Sequence, residues 1–170
     1  MKLFGQRGFE QTSVNAIAKD AEISKGLIYN HFETKEDIVE GVVHMLMDHG
    51  DKILTPNNEL ESPKQQLKLI IDETFKWMEK EAELMAWMLP MAFQIGRYPF
   101  VTNIVATKIN TTISKSVELF TKLGFDQPEE EAWFFGAIID GIGTHHILVE
   151  NYNRNKMHQY LLTKYELNNL

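Results

Sequence analysis

The chain has 170 residues, 44% of them hydrophobic, a net charge of −7 and no cysteine. That size suits one compact chain with a small head and a larger body, and its apolar share excludes a disordered one. The missing cysteines remove disulfides, thiolate metal sites and cysteine nucleophiles together. With no apolar run long enough to span a membrane and no secretory leader, a cytoplasmic protein without membrane contact is expected.

In chain order, residues 1–6 read as the last turns of a helix, with Leu3 and Phe4 on its core side and Gly8 as its stop. Thr12 and Ser13 then offer capping hydroxyls, and Val14, Ile17, Ala18 and Ala21 recur at helical spacing. Glu22 and Ile23 fill a tight turn, and Ser24 caps a second short helix reaching Asn30. Ile23 and Ile28 are expected to point back to the first of these helices, leaving Lys25, Leu27 and Asn30 outward. A helix, a tight turn and a short second helix form the geometry that reads a DNA major groove. Phe32 is expected in the core. Thr34, with Asp37 three residues on, caps a longer helix whose apolar face is Ile38, Val42, Met45 and Leu46.

After a polar break at residues 55–58, Ser62, Pro63 and Gln65 open another helix through a capping box. Trp77, Met78, Met85, Trp87, Met88, Met91 and Phe93 follow, with Pro90 expected to end or kink their helix. This methionine and tryptophan cluster is either plain core or an adaptable wall for an apolar ligand. A long helix over about residues 101–123 carries Ile104, Val105, Ile109, Ile113, Val117 and Phe120 inward, and Gly124 stops it. The next is expected to open at Asp126 with Glu129, and a last one covers about residues 154–167. Asp140 and Gly141 would ordinarily make a turn.

The residues Gly8-Phe9, Thr12-Ser13, Ile17-Ala18, Ala21, Ser24-Lys25-Gly26, Ile28-Tyr29, His31-Phe32 and Thr34-Lys35-Glu36 resemble the TetR family of transcriptional regulators over about residues 3–38. The resemblance implies an all-α fold with three parts: a helix-turn-helix head at 1–34 whose first helix is incomplete, a linking helix at 35–50, and a ligand-binding and dimerisation domain at 51–170. It implies a homodimer that binds a palindromic double-stranded DNA operator and releases it to a small-molecule effector, with no cofactor. It also favours one continuous helix through Gly141 and Gly143.

Carried onto this sequence, DNA contact falls to Thr12, Ser13, Ser24, Lys25, Gly26, Leu27, Tyr29, Asn30, His31 and Lys35. Thr12 and Ser24 would hold phosphates, Lys25 and Leu27 face the groove, and Tyr29, His31 and Lys35 grip the backbone. The effector would meet Trp77, Met78, Trp87, Met88, Met91, Phe93 and Phe120. The helices at 126–150 and 154–167 would form a four-helix dimer interface through Trp133, Gly136, Ala137, Asp140, Gly141, Thr144, His145, Leu148, Met157, Leu161 and Tyr165.

Charge weighs mildly the other way. Residues 1–35 hold five basic residues (Lys2, Arg7, Lys19, Lys25, Lys35) against four acidic ones (Glu10, Asp20, Glu22, Glu33), so the acidic excess lies behind the head. A helical adaptor that does not read DNA is therefore the alternative. An enzyme would have to start from His146 and Glu150, or from His44 and Asp48, each four apart on a helix face. Neither pair has a further ligand in an HExxH pattern, and no GxSxG, P-loop or GxGxxG occurs.

Overall fold

The computed structural model describes residues 2–54, 62–92 and 99–170, with side chains described for all of these except 2, 5, 6, 46–54, 87, 88, 90–92, 100 and 101. Helices make up the fold among the described residues: α1 (Lys2–Gln11), α2 (Val14–Asp20), α3 (Lys25–Tyr29), α4 (Lys35–Leu54), α5 (Pro63–Lys80), α6 (Ala82–Ala92), α7 (Pro99–Lys122), α8 (Pro128–Leu148) and α9 (Arg154–Lys164). None of these helices is long and apolar enough to cross a membrane.

Local capping chemistry sets most of the boundaries. Ser13 accepts a hydrogen bond from Ala16 N, Ser24 from Leu27 N and Ser62 from Gln65 N. Each satisfies an N–H that has no partner within its own helix. Thr34 and Asp37 close a reciprocal box: Asp37 N donates to Thr34 Oγ1 at 3.1 Å, while Thr34 N donates to Asp37 Oδ2 at 2.9 Å. The Thr34 side chain, then the backbone N–H groups of Thr34 and Glu33, favour the ionised carboxyl of Asp37 and hold it below its ordinary pKa. Gly124, at φ +81°, ends α7; Phe125 N donates back to Phe120 O, the six-residue closure that a left-handed residue allows.

Gly8 (φ 77°, ψ 166°) is non-helical and breaks α1 at a kink, where a stop was expected. Pro90 lies inside α6, two residues before its end at Ala92. One expected boundary changes. α8 opens at Pro128 rather than at Asp126, because Gln127 holds the cap position and proline suits a first turn whose N–H has no helical partner. α8 then runs unbroken through Asp140, Gly141 and Gly143. Helix–helix contact explains Gly143: a Cβ there would lie 2.8 Å from Met85 Cε.

Two apolar clusters organise the chain. The body cluster centres on Leu67, Ile71, Phe75, Phe120, Phe135 and Leu161, drawn from α5, α7, α8 and α9. Phe120 is fully buried, edge-on to Phe125 at 5.2 Å and to Phe135 at 5.7 Å. The head cluster gathers Phe4, Phe9, Ala18, Ile28, Ile38, Val39 and Val43, and it also includes Leu84 of α6. Ile104 and Val105 of α7 pack against it, and Trp77 of α5 packs against both clusters. α6 thus lies on α1 on one side and on α8 on the other.

Polar bonds fasten α9 to α5. Asp72 Oδ1 lies 2.7 Å from His158 Nε2, its Oδ2 takes a hydrogen bond from Lys68 Nζ at 2.8 Å, and the His158 ring packs on Phe75. Burial would raise the Asp72 pKa, but the bonds from Lys68 and His158 outweigh it and hold the carboxyl below its usual value. Arg154 reaches Glu79 at 3.0 Å on the same seam.

Candidate functional site

The head presents α3 outward. Ile28 anchors it in the head cluster, while Lys25, Gly26, Leu27, Tyr29, Asn30 and His31 are exposed, as are Ser13 and Ser24. The Lys25 ammonium stands 5.4 Å from the centre of the Tyr29 ring, so the two present one cationic and aromatic edge. Nothing inside the molecule demands a glycine at 26: an added Cβ would have only Ser24 Oγ within 4 Å, at 3.9 Å. A missing side chain on the exposed face of a short helix leaves room for a close approach from outside.

Three expectations for the head fail on geometry. Thr12 is fully buried, and its hydroxyl donates within the chain, lying 2.7 Å from Gly8 O and 3.2 Å from Leu3 O, so it faces no phosphate. Lys35 turns inward: its ammonium donates to Phe9 O at 2.8 Å and sits 4.2 Å from the centre of the Phe9 ring, clasping the end of α1. Its charge meets the carbonyl end of α1, which is where a helix attracts a cation. Ile23, expected to point back to α2, is 40% exposed, in a turn where Glu22 takes a left-handed φ of 54°.

The body holds a cavity of about 400 Å³ between α5, α7 and α8, a size within the range of small-molecule sites. Ile70, Thr74 and Trp77 line it from α5; Lys108, Ile109, Thr112, Ile113 and Ser116 from α7; Trp133, Phe135, Gly136, Ala137, Ile139 and Asp140 from α8. Of the expected effector contacts, Trp77 is on this wall. Met78 and Phe120 are buried in the body cluster instead. The side chains of Trp87, Met88 and Met91, and the whole of Phe93, lie outside the described residues. Sequence reading passed over Lys108, although it interrupts the apolar stripe of Ile104, Ile109 and Ile113 on α7. That interruption was the available signal.

The expected dimer contacts divide three ways. Leu161 and Tyr165 cannot reach a partner: both are buried in the body cluster, and the Tyr165 hydroxyl donates to Glu131 at 2.6 Å. Burial, then that bond, raises the Tyr165 pKa. Met157 packs on the same cluster. Trp133, Gly136 and Asp140 are on the cavity wall. Ala137, Gly141, Thr144 and Leu148 follow one another at three- and four-residue steps on the outer side of α8, Leu148 being 66% exposed. Ala137 also borders the cavity. His145 is exposed and edge-on to Tyr152 at 5.5 Å. On α9 the exposed residues are Asn155, Lys156, Gln159, Tyr160, Thr163 and Lys164, and none of them is among those expected.

Residues 1–42 match the family model described as bacterial regulatory proteins, tetR family. Among curated proteins, the chain is 26% identical over 138 residues to the HTH-type transcriptional regulator HbdR of Aromatoleum sp. (strain CIB), covering 76% of this chain and 58% of that protein. It is 34% identical over 55 residues to IcaR of Staphylococcus aureus (strain Newman), an HTH-type negative regulator of the icaADBC biofilm operon, covering 32% of this chain and 30% of IcaR. The matched stretches thus span less than two thirds of these relatives. The crystal structure of a TetR transcription regulator from Haloarcula marismortui superposes with a TM-score of 0.81 at 17% identity, over 96% of this chain and 90% of that one. Residues 1–42 of the chain thus match the tetR family of bacterial regulatory proteins, and the whole fold is similar to that of a solved TetR transcription regulator.

Proposed function

We propose that the chain is a ligand-responsive transcriptional repressor. As a homodimer it binds a palindromic operator, and it lets go when a small apolar or amphipathic molecule enters the cavity between α5, α7 and α8. The observation that carries this reading is the position of Trp77, which lines the cavity and packs against both the body and the head clusters. A ligand pressing on its indole acts on α5, then on α6, whose Leu84 sits in the head core. The linking helix α4 moves with that core, since it supplies Ile38, Val39 and Val43. A ligand shifts this equilibrium only as far as it prefers one arrangement over the other.

At the DNA, Lys25 and Leu27 enter the major groove, the latter suited to a thymine methyl, while Ser13, Ser24, Tyr29 and His31 meet the backbone. Two heads joined through the outer stripe of α8 read half-sites one helical turn apart or a multiple of it, a turn being about 34–36 Å. Tryptophan emission and operator affinity, followed together while lipophilic compounds are titrated in, test the switch. A compound that changes the emission of Trp77 and leaves operator affinity as it was refutes it. Lys25→Ala combined with Tyr29→Ala tests the head: unchanged operator affinity would remove α3 from the interface.

A further inference from the structure

Two hydroxyls stand at mid-length of a mostly apolar cavity wall. On α5 the lining residues are Ile70, Thr74 and Trp77, with Thr74 in the middle; on α7 Thr112 is the middle of the set that runs from Lys108 to Ser116. At 1.5 Å per residue these stretches are about 10 and 12 Å long, so both threonines meet the middle of the cavity whichever way the helices run. A hydroxyl side chain in a helix can close onto the carbonyl four residues earlier, as Thr111, Ser114, Ser116 and Thr121 do on α7. The Thr74 and Thr112 hydroxyls make no hydrogen bond among the described residues, which leaves their capacity to the cavity.

A few polar groups on an apolar wall are what orients a ligand in such a cavity. The charged groups of this wall ask for no counter-charge. Lys108 already interacts within the chain. Asp140, on the exposed side, gives an anion only a like charge when ionised. An ionised ligand would lose its hydration here and gain nothing equal to it. Ile70 and Trp77 flank Thr74, and Ile109 and Ile113 flank Thr112, with apolar surface.

We propose that the cavity takes an uncharged molecule with a carbonyl or hydroxyl oxygen near its middle, held by Thr74 and Thr112, and an apolar arm on each side. This rests on the cavity being the effector site of the preceding subsection. A threonine hydroxyl both donates and accepts, so it serves either kind of oxygen. At about 30 Å³ per methylene-sized group, the cavity admits roughly a dozen non-hydrogen atoms. A molecule with its oxygen at one end must therefore choose. It reaches the threonines and leaves part of the cavity unfilled, or fills the cavity and forgoes their hydrogen bonds.

Undecan-6-one and undecan-2-one have the same composition and differ in where the carbonyl lies; undecanoate has the same chain length and a charged end. Each is titrated into the full chain and followed by tryptophan emission, to which Trp77 and Trp133 on the wall contribute. Undecan-6-one is expected to bind roughly fivefold or more tighter than the other two, the equivalent of one net hydrogen bond. Thr74→Val combined with Thr112→Val should bring undecan-6-one down to the level of undecan-2-one and leave undecan-2-one unchanged. The comparison of the two ketones on the parent chain stands without any variant. The proposal is overturned if undecan-6-one does not bind, if undecan-2-one or undecanoate binds as tightly, or if the valine pair keeps the preference. Operator affinity is measured separately. Undecan-6-one that binds through the threonines and leaves the operator bound upholds this assignment and sinks the switch. Release of the operator by undecan-2-one or undecanoate, with undecan-6-one not bound, upholds the switch and sinks the assignment.

Discussion

Replacing Thr12 with valine keeps the volume of the side chain and removes its hydroxyl, which separates two roles the residue could have in a DNA-binding head. In the structure that hydroxyl lies 2.7 Å from Gly8 O and 3.2 Å from Leu3 O, and the residue is fully buried. Its single proton satisfies chiefly the nearer carbonyl, at the bend that Gly8 puts into α1. A net hydrogen bond contributes about 1 kcal/mol, and a buried acceptor left without a partner costs about 1–3 kcal/mol. Thr12→Val should therefore destabilise the chain by about 2 kcal/mol, lowering Tm by about 4–8 °C for a chain of this length. A phosphate contact would show itself differently. It would leave Tm where it is and reduce the slope of log affinity against log salt by about 0.9. Thermal unfolding and operator binding at several salt concentrations measure both quantities on one variant. An unchanged Tm together with a shallower salt slope would refute the structural role.

Leu84→Ala removes a body side chain from the head core; it should cost about 2–5 kcal/mol by denaturant unfolding and weaken operator binding beyond what global unfolding explains. Asp72→Asn should cost about 2 kcal/mol near neutrality, since both bonds to the carboxylate weaken. The folded pKa of Asp72 is depressed, so its contribution is complete above the ordinary value of 3.8 and lost as pH falls through the folded value. Parent and variant stabilities should accordingly converge in acid. Gly141→Leu places a bulky side chain in the middle of the outer stripe of α8, where an added Cβ meets nothing within 4 Å inside the chain. For the dimer proposed above, sedimentation should show a shift to monomer, and a variant that stays dimeric would remove that stripe from the interface.

What could be read from the sequence was local. The caps at Ser13, Ser24, Thr34 and Ser62 are short-range chemistry, in which the acceptor and its N–H lie within three residues. The two short helices of the head followed from them. The partner of Thr12 is also near in sequence, but its burial depends on how α1 bends at Gly8, and no periodicity reports a bend. Lys35 reaches across 26 residues to Phe9 O, and no local pattern contains that pair. On α9 the sequence suggested a face through Met157, Leu161 and Tyr165, correctly apolar. Which neighbour that face meets is decided by α5 and α7, so an internal face passed for an external one. The cavity was legible only at Trp77 for a related reason. Its wall alternates among three helices, and the dense run of methionine and tryptophan outweighed a single lysine in an apolar stripe.

Leu84, Ile104 and Val105 make the reading head something other than a detachable part. A chain cut after the linking helix would leave Phe4, Val39 and Val43 facing water where α6 and α7 now cover them. Such a fragment should bind dye and aggregate rather than recognise an operator. The same borrowed contacts limit recombination between regulators. A foreign α1–α3 grafted onto this body must bring a surface that accepts Leu84, or the hybrid loses stability in its head. On the proposed function, recognition specificity is therefore easier to change by substitutions on the exposed side of α3, at Lys25, Gly26 and Leu27, than by exchange of whole heads.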